Sequence, residues 1–73
     1  MTRFDRILSR LLREGRSTVH ELSMCGGGNN PHARISENTD ALGNIRKMPG
    51  RRIVKEYTLH EGRTMTVFKL VNA

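Results

Sequence analysis

The hydrophobic period of this chain changes once, near residue 44, and the change restricts it to a helical first half and an extended second half. Phe4, Ile7, Leu8, Leu11 and Leu12 recur at i, i+3, i+4, i+7 and i+8, the single apolar stripe of an α-helix. Beyond Ile45 the repeat is two. Residues 53–59 and 64–70 alternate in character on either side of His60-Glu61-Gly62-Arg63, as strands of a hairpin do. A chain of 73 residues buries only about 60% of its extended surface and has no material for two cores. Residues 1–73 are therefore read as one domain in which both textures share a core.

The helical half divides at its caps and glycines. Thr2 with Asp5 three residues on predicts an N-terminus, and Gly15 stands where a C′ glycine stops the helix. Thr18-Val19-His20-Glu21 has the form of a capping box and starts a second helix. Val19, Leu22 and Met24 or Cys25 are its inward residues, and Gly26-Gly27-Gly28 ends it. Two turns cannot stand alone, so this helix must pack on the first. The glycine triplet lacks the Lys and Ser/Thr of a phosphate-binding loop and reads as a connector. Asn30-Pro31 is the N-cap and first position of a third helix, expected from His32 to about Leu42 with Gly43 or Asn44 as its stop. Arg3, Arg6, Arg10 and Arg13 lie off the apolar stripe, as a solvated face.

With Glu61-Gly62 as a two-residue turn, Leu59 pairs with Thr64, Tyr57 with Thr66, Lys55 with Phe68 and Ile53 with Leu70. That register sets Ile53, Tyr57, Leu59, Phe68 and Leu70 on the buried face and leaves Glu56, Thr58, Met65, Val67 and Lys69 on the other. Residues 45–48 are expected to add a short third strand, with Pro49-Gly50 turning into the hairpin. Leu8, Leu11, Leu22, Ile35, Tyr57, Phe68 and Leu70 should meet in one core. The fold class is α+β: three helices followed by a β-hairpin wing, the order of a winged helix-turn-helix with the third helix in the recognition position.

His32-Ala33-Arg34-Ile35-Ser36-Glu37 resembles the Ala-Arg-Ile-Ser-Glu-Leu core of a family of small winged helix-turn-helix DNA-binding domains from bacteriophages and prophages. In that family an N-terminal helix, a Thr-capped second helix and a glycine precede the core. A hairpin ending in aromatic-X-Leu follows it, as Phe68-Lys69-Leu70 does here, so the resemblance spans residues 4–70. Asn38 replaces the family's inward Leu, Thr39 its basic residue, and the glycine connector is longer. The resemblance implies a DNA-binding fold; two of the three departures fall on the recognition helix.

Composition excludes several function classes. No apolar run exceeds two residues, so no membrane span is expected. No apolar stretch follows Met1-Thr2-Arg3, so no secretory leader is expected and the bacterial cytoplasm is the anticipated setting. Cys25 is the lone cysteine, which leaves no internal disulfide and no thiolate cage. His20, His32 and His60 fall in three different elements, and Glu37 and Asp40, on one helix face, read as solvated charge and not as an acid–base pair. No catalytic residue, metal ligand or cofactor site is expected, and enzyme is the poorest class.

Charge points instead to nucleic acid. Thirteen cations face seven acids, a net +6, and ten of the thirteen are Arg. Residues 1–44 carry six Arg against five acids, a net +1; residues 45–73 carry the remaining +5. Arg46, Lys47, Arg51, Arg52, Lys55 and Arg63 are assigned to the sugar–phosphate backbone or the minor groove. His32, Arg34, Ser36 and Glu37 are assigned to the major groove, with Arg34 suited to guanine and Glu37 to cytosine N4 or to orienting Arg34. Glu37 and Asp40 together repel phosphate and count against DNA. Phe4, Tyr57 and Phe68 are the only aromatics and all three are assigned to the core, so stacking on single strands is not expected. The expected partner is duplex DNA, for a small regulator or recombination accessory, with homodimerisation open. The alternative is a protein-binding winged helix, an inhibitor that docks on a host protein.

Overall fold

Two capping boxes set the first two helices in place. In the computed structural model, which describes residues 1–73, helix α1 spans Arg3–Glu14. The Thr2 hydroxyl accepts from the Asp5 amide at 3.1 Å and the Asp5 carboxylate accepts from the Thr2 amide at 3.0 Å. Gly15 ends the helix at φ 82°. A short strand β1, Arg16–Thr18, leads into α2, Val19–Leu22, which continues as a π-helical turn over Ser23–Gly27. Here Thr18 and Glu21 repeat the box, at 3.1 Å and 2.8 Å.

The Glu21 carboxyl is held below the ordinary glutamate range, chiefly by the Thr18 amide; burial opposes this, and the Thr18 hydroxyl, Arg10 and Ser17 assist. A carboxyl lowered in the fold stabilises it above the ordinary glutamate pKa, and that contribution is lost as pH falls through the lowered value. Thr18→Ala should therefore cost about 1 kcal/mol at neutral pH in urea denaturation. Glu21→Gln should flatten the acid limb of the stability–pH curve. An acid limb as steep as in the parent chain would overturn the role given to Glu21.

The glycine connector has a packing cause. Gly26 and Gly28 adopt φ 102° and 86°, and a Cβ on either would come within 2.6 Å of Arg6 Cδ or 2.9 Å of Arg3 Cδ. The stems of two α1 arginines thus lie directly on this backbone, whose left-handed φ favours glycine.

Helix α3, Pro31–Asn38, begins as expected, with Asn30 Oδ1 accepting from the Ala33 amide. It stops four residues short of the expected Leu42. Asn38 Nδ2 donates to the Arg34 carbonyl at 2.7 Å and Thr39 Oγ1 donates to the Ile35 carbonyl at 2.8 Å, so side chains close the last turn. Asp40 then builds a tight turn by accepting from the Leu42 and Asn44 amides.

Strands β2, Arg51–His60, and β3, Arg63–Asn72, form the hairpin in the expected register, Lys55 opposite Phe68 and Leu59 opposite Thr64. Glu61 and Gly62 both take positive φ, 52° and 77°, which matches the twist of the flanking strands. The third strand is not residues 45–48. It is β1, which pairs antiparallel with β3 through Arg16–Lys69, Ser17–Phe68 and Thr18–Val67, giving the order β1-β3-β2. Ile45 and Asn44 make only single bridges, to Thr39 and Arg52, because the Asp40 turn brings that segment to β2 at one point. The result is an α+β fold with three helices and a three-stranded antiparallel sheet, in a winged-helix layout.

Phe4, Ile7, Leu8, Leu11, Leu22, Ile35, Ile45, Ile53, Phe68 and Leu70 form one core cluster, with Val19, Cys25 and Met48 against it. Tyr57, expected in the core, is not in it, and neither are Leu12 of the apolar stripe and Leu59 of the expected buried face. Leu12 is 49% exposed on the flank of α1, and Tyr57 and Leu59 are 67% and 79% exposed. A ten-residue strand is about 33 Å long. The helices cover only its base, as far as Lys55 and Phe68, and the wing continues past them. Val67 is buried on the opposite sheet face, outside the cluster. No helix is long and apolar enough to cross a membrane.

Candidate nucleic-acid interface

Helix α3 and strand β2 are the two walls of an open groove of about 510 Å³. Ile35, Ile53 and Phe68 supply its apolar floor; His32, Ser36 and Asp40 stand on the helix side and Lys55 on the wing side. The His32 ring meets Phe68 edge-on, centroids 5.1 Å apart at 68°, while the Lys55 amine sits 5.9 Å from the same ring centre. Phe68 therefore contacts one polar residue from each wall, His32 in a T-shaped pair and Lys55 over its ring.

The four helix residues singled out from the sequence are split. His32 and Ser36, four apart, share the groove side. Arg34 is about 160° around the helix from Ser36's partner His32, and Glu37 about 140°. Arg34 Nη2 donates to Glu37 Oε1 at 2.7 Å, so the pair satisfies itself on the far side of α3. Arg34 Nε is buried without a hydrogen-bond partner. Guanine reading by Arg34 would first have to break that ion pair.

The six wing cations also divide. Arg46 closes the end of α3, its amide donating to the Asn38 carbonyl at 3.1 Å and Nη2 to the Thr39 carbonyl at 3.2 Å. Lys47 is paired with Asp5 and lies 5.4 Å from the centre of the Phe4 ring, fastening the loop to α1. Arg52 Nε donates to Asn44 Oδ1 at 3.1 Å. Arg51 and Lys55 share the inner sheet face with Ile53, whereas Arg52 and Arg63 lie on the outer face, Arg63 exposed beside the turn. The constellation is thus one groove residue, Lys55, with Arg51 on the same face and the others distributed around the fold.

Ion pairs with carboxylates engage Arg10, Arg13, Arg34, Lys47 and Lys69. The remaining eight of the thirteen cations, among them Arg51, Arg52, Lys55 and Arg63, have no carboxylate partner. Asp40 is the one acid on the groove wall. Its carboxyl is held below the ordinary aspartate range by the Asn44 side-chain amide first, then by the Asn44 and Leu42 backbone amides. It stays ionised and makes that end of the groove the poorer place for a phosphate. No three His, Cys, Asp or Glu side chains gather where they could hold a metal ion.

Alternation sets Tyr57 and Leu59 on the buried sheet face, yet the register itself carries a signal against that. Ile53 faces Leu70 across the hairpin, an apolar pair, but Tyr57 faces Thr66 and Leu59 faces Thr64. Short polar partners give an apolar side chain no cover. No protein-family model, no curated protein and no solved structure matches this chain.

Proposed function

We propose that this chain is a small winged-helix protein that binds duplex DNA, as a regulator or recombination accessory. The observation that carries the reading is the groove framed by α3 and the wing, with Lys55 in it and eight cations in the chain that no carboxylate neutralises. Free cations released from internal pairing are what a polyanionic backbone needs. The sequence resemblance of residues 32–37 supports a bacteriophage or prophage origin and a bacterial cytoplasmic setting. In this reading Lys55, Arg51 and Arg63 meet phosphates or the minor groove, and His32 and Ser36 are the helix residues nearest base edges. Arg46 and Lys47 act on the fold.

A second reading, a protein-binding winged helix, draws support from the exposed apolar residues Leu42, Tyr57 and Leu59. Gel-shift titration against random duplex at several salt concentrations separates the two. DNA binding predicts that Arg51→Ala with Lys55→Ala weakens attachment to all sequences alike and lowers the salt slope by about 0.9 per lost phosphate contact. Arg46→Ala should leave the slope unchanged and reduce thermal stability. Absence of any duplex shift, with capture of one partner from nuclease-treated lysate, would end the DNA reading.

A further inference from the structure

The hairpin beyond Phe68 is the least explained surface of the molecule. Its inner face carries Tyr57 and Leu59, both largely exposed, with Thr66 and Thr64 directly opposite. The same face, followed back along β2, carries Lys55, Ile53 and Arg51, and along β3 Phe68, Leu70 and Asn72. It holds no carboxylate at all: Glu56 lies on the outer face, where it pairs with Lys69 at 3.9 Å, and Glu61 lies in the turn. We infer that this face is a minor-groove wedge, Tyr57 and Leu59 entering the minor groove of duplex DNA and unstacking it beside the cation Lys55. The inference rests on the duplex-binding reading above and adds the groove, the contact chemistry and a change in DNA shape.

Three features favour this occupant. Residues i and i+2 of a strand stand about 7 Å apart, roughly two base-pair rises, so the two side chains together span about two base pairs of the groove. Apolar side chains that enter the minor groove partly unstack it and bend the duplex away, while flanking cations hold the phosphates. The Thr64 and Thr66 hydroxyls can meet the adenine N3 and thymine O2 acceptors that line the groove floor. A second copy of the chain is a poor alternative. Self-packing through Tyr57 and Leu59 would bring two strongly basic chains, each of net charge +6, against one another.

The test uses the full chain and its Tyr57→Thr, Leu59→Thr double variant, which replaces two exposed residues with a good strand former and should fold normally by circular dichroism. A duplex labelled at both ends for energy transfer, with 2-aminopurine at its centre, reports bending and unstacking together. The parent chain should bend the duplex by some tens of degrees and raise 2-aminopurine fluorescence. The double variant should still bind, about tenfold more weakly, but without either signal. A central mismatch, already partly unstacked, should bind the parent chain several-fold tighter than matched duplex and give the variant no such gain. Equal bending by parent and variant would overturn the wedge and leave duplex binding intact. Self-association of the parent chain that the variant abolishes would also overturn it, in favour of a second copy. No duplex binding by the parent would remove the wedge and the proposed function together.

Discussion

Phe68→Ala will unfold most of the protein at room temperature. Phe68 is 3% exposed, lies in the central strand between Ser17 of β1 and Lys55 of β2, and meets the His32 ring from α3. Truncating a phenylalanine so placed costs ~3–5 kcal/mol, because the transfer free energy is lost and a cavity remains that four elements would have to move together to fill. Small domains hold only ~5–15 kcal/mol in total, and this one sits at the low end by size. Urea denaturation followed by circular dichroism should show the midpoint falling to near zero denaturant. Tyr57→Ala, two register positions further out on the same face, should shift it by no more than about 0.5 kcal/mol. A fall in melting temperature of only a few degrees for Phe68→Ala would show that the sheet does not close over α3 as described.

Gly43→Ala should come close in severity, for a different reason. Gly43 sits at φ 89°, and a Cβ there would collide with the Ile53 carbonyl oxygen, a backbone atom that cannot swing aside. Its own carbonyl accepts from the Ile53 amide at 2.9 Å and its amide donates to the Asp40 carbonyl at 3.0 Å, so the residue ties the α3 exit to β2. Backbone strain costs ~1–3 kcal/mol and overpacking a similar amount, which together approach the stability of the domain. Gly50 provides the control. It has φ 90° but open space around the missing Cβ, so Gly50→Ala should lose only the strain. If the two variants melt together, the close approach of residue 43 to β2 is wrong. If Gly43→Ala is the weaker by far, the groove wall rests on that one glycine.

Much of the architecture was legible in the residues. Both capping boxes, the Asn30-Pro31 start of α3 and the whole hairpin register follow from short-range rules, and local rules carry over because their partners are at most four residues away or across a two-residue turn. The errors fall where partners are distant. Arg16-Ser17-Thr18 has no strand-like alternation of its own and becomes β1 only because β3 offers it a free edge. Helix α3 loses its last turn to Asn38, Thr39 and Asp40, whose side chains compete with the backbone for its own hydrogen bonds.

The candidate site was less legible than the fold. Charge counting found the basic second half, but Arg46 and Lys47 turned out to fasten α3 and α1, and Arg34 is spent on Glu37. A cation in the sequence looks the same whether it will meet a phosphate or a neighbouring carbonyl. Composition, caps and period suffice for the α+β class, the order of the three helices and the hairpin, and the hairpin pairing, because each depends on residues that are neighbours along the chain or across one turn. How far the helices reach along the hairpin depends on packing between elements remote in sequence. That reach buries Phe68, bares Tyr57 and Leu59, and leaves Lys55 standing in the groove.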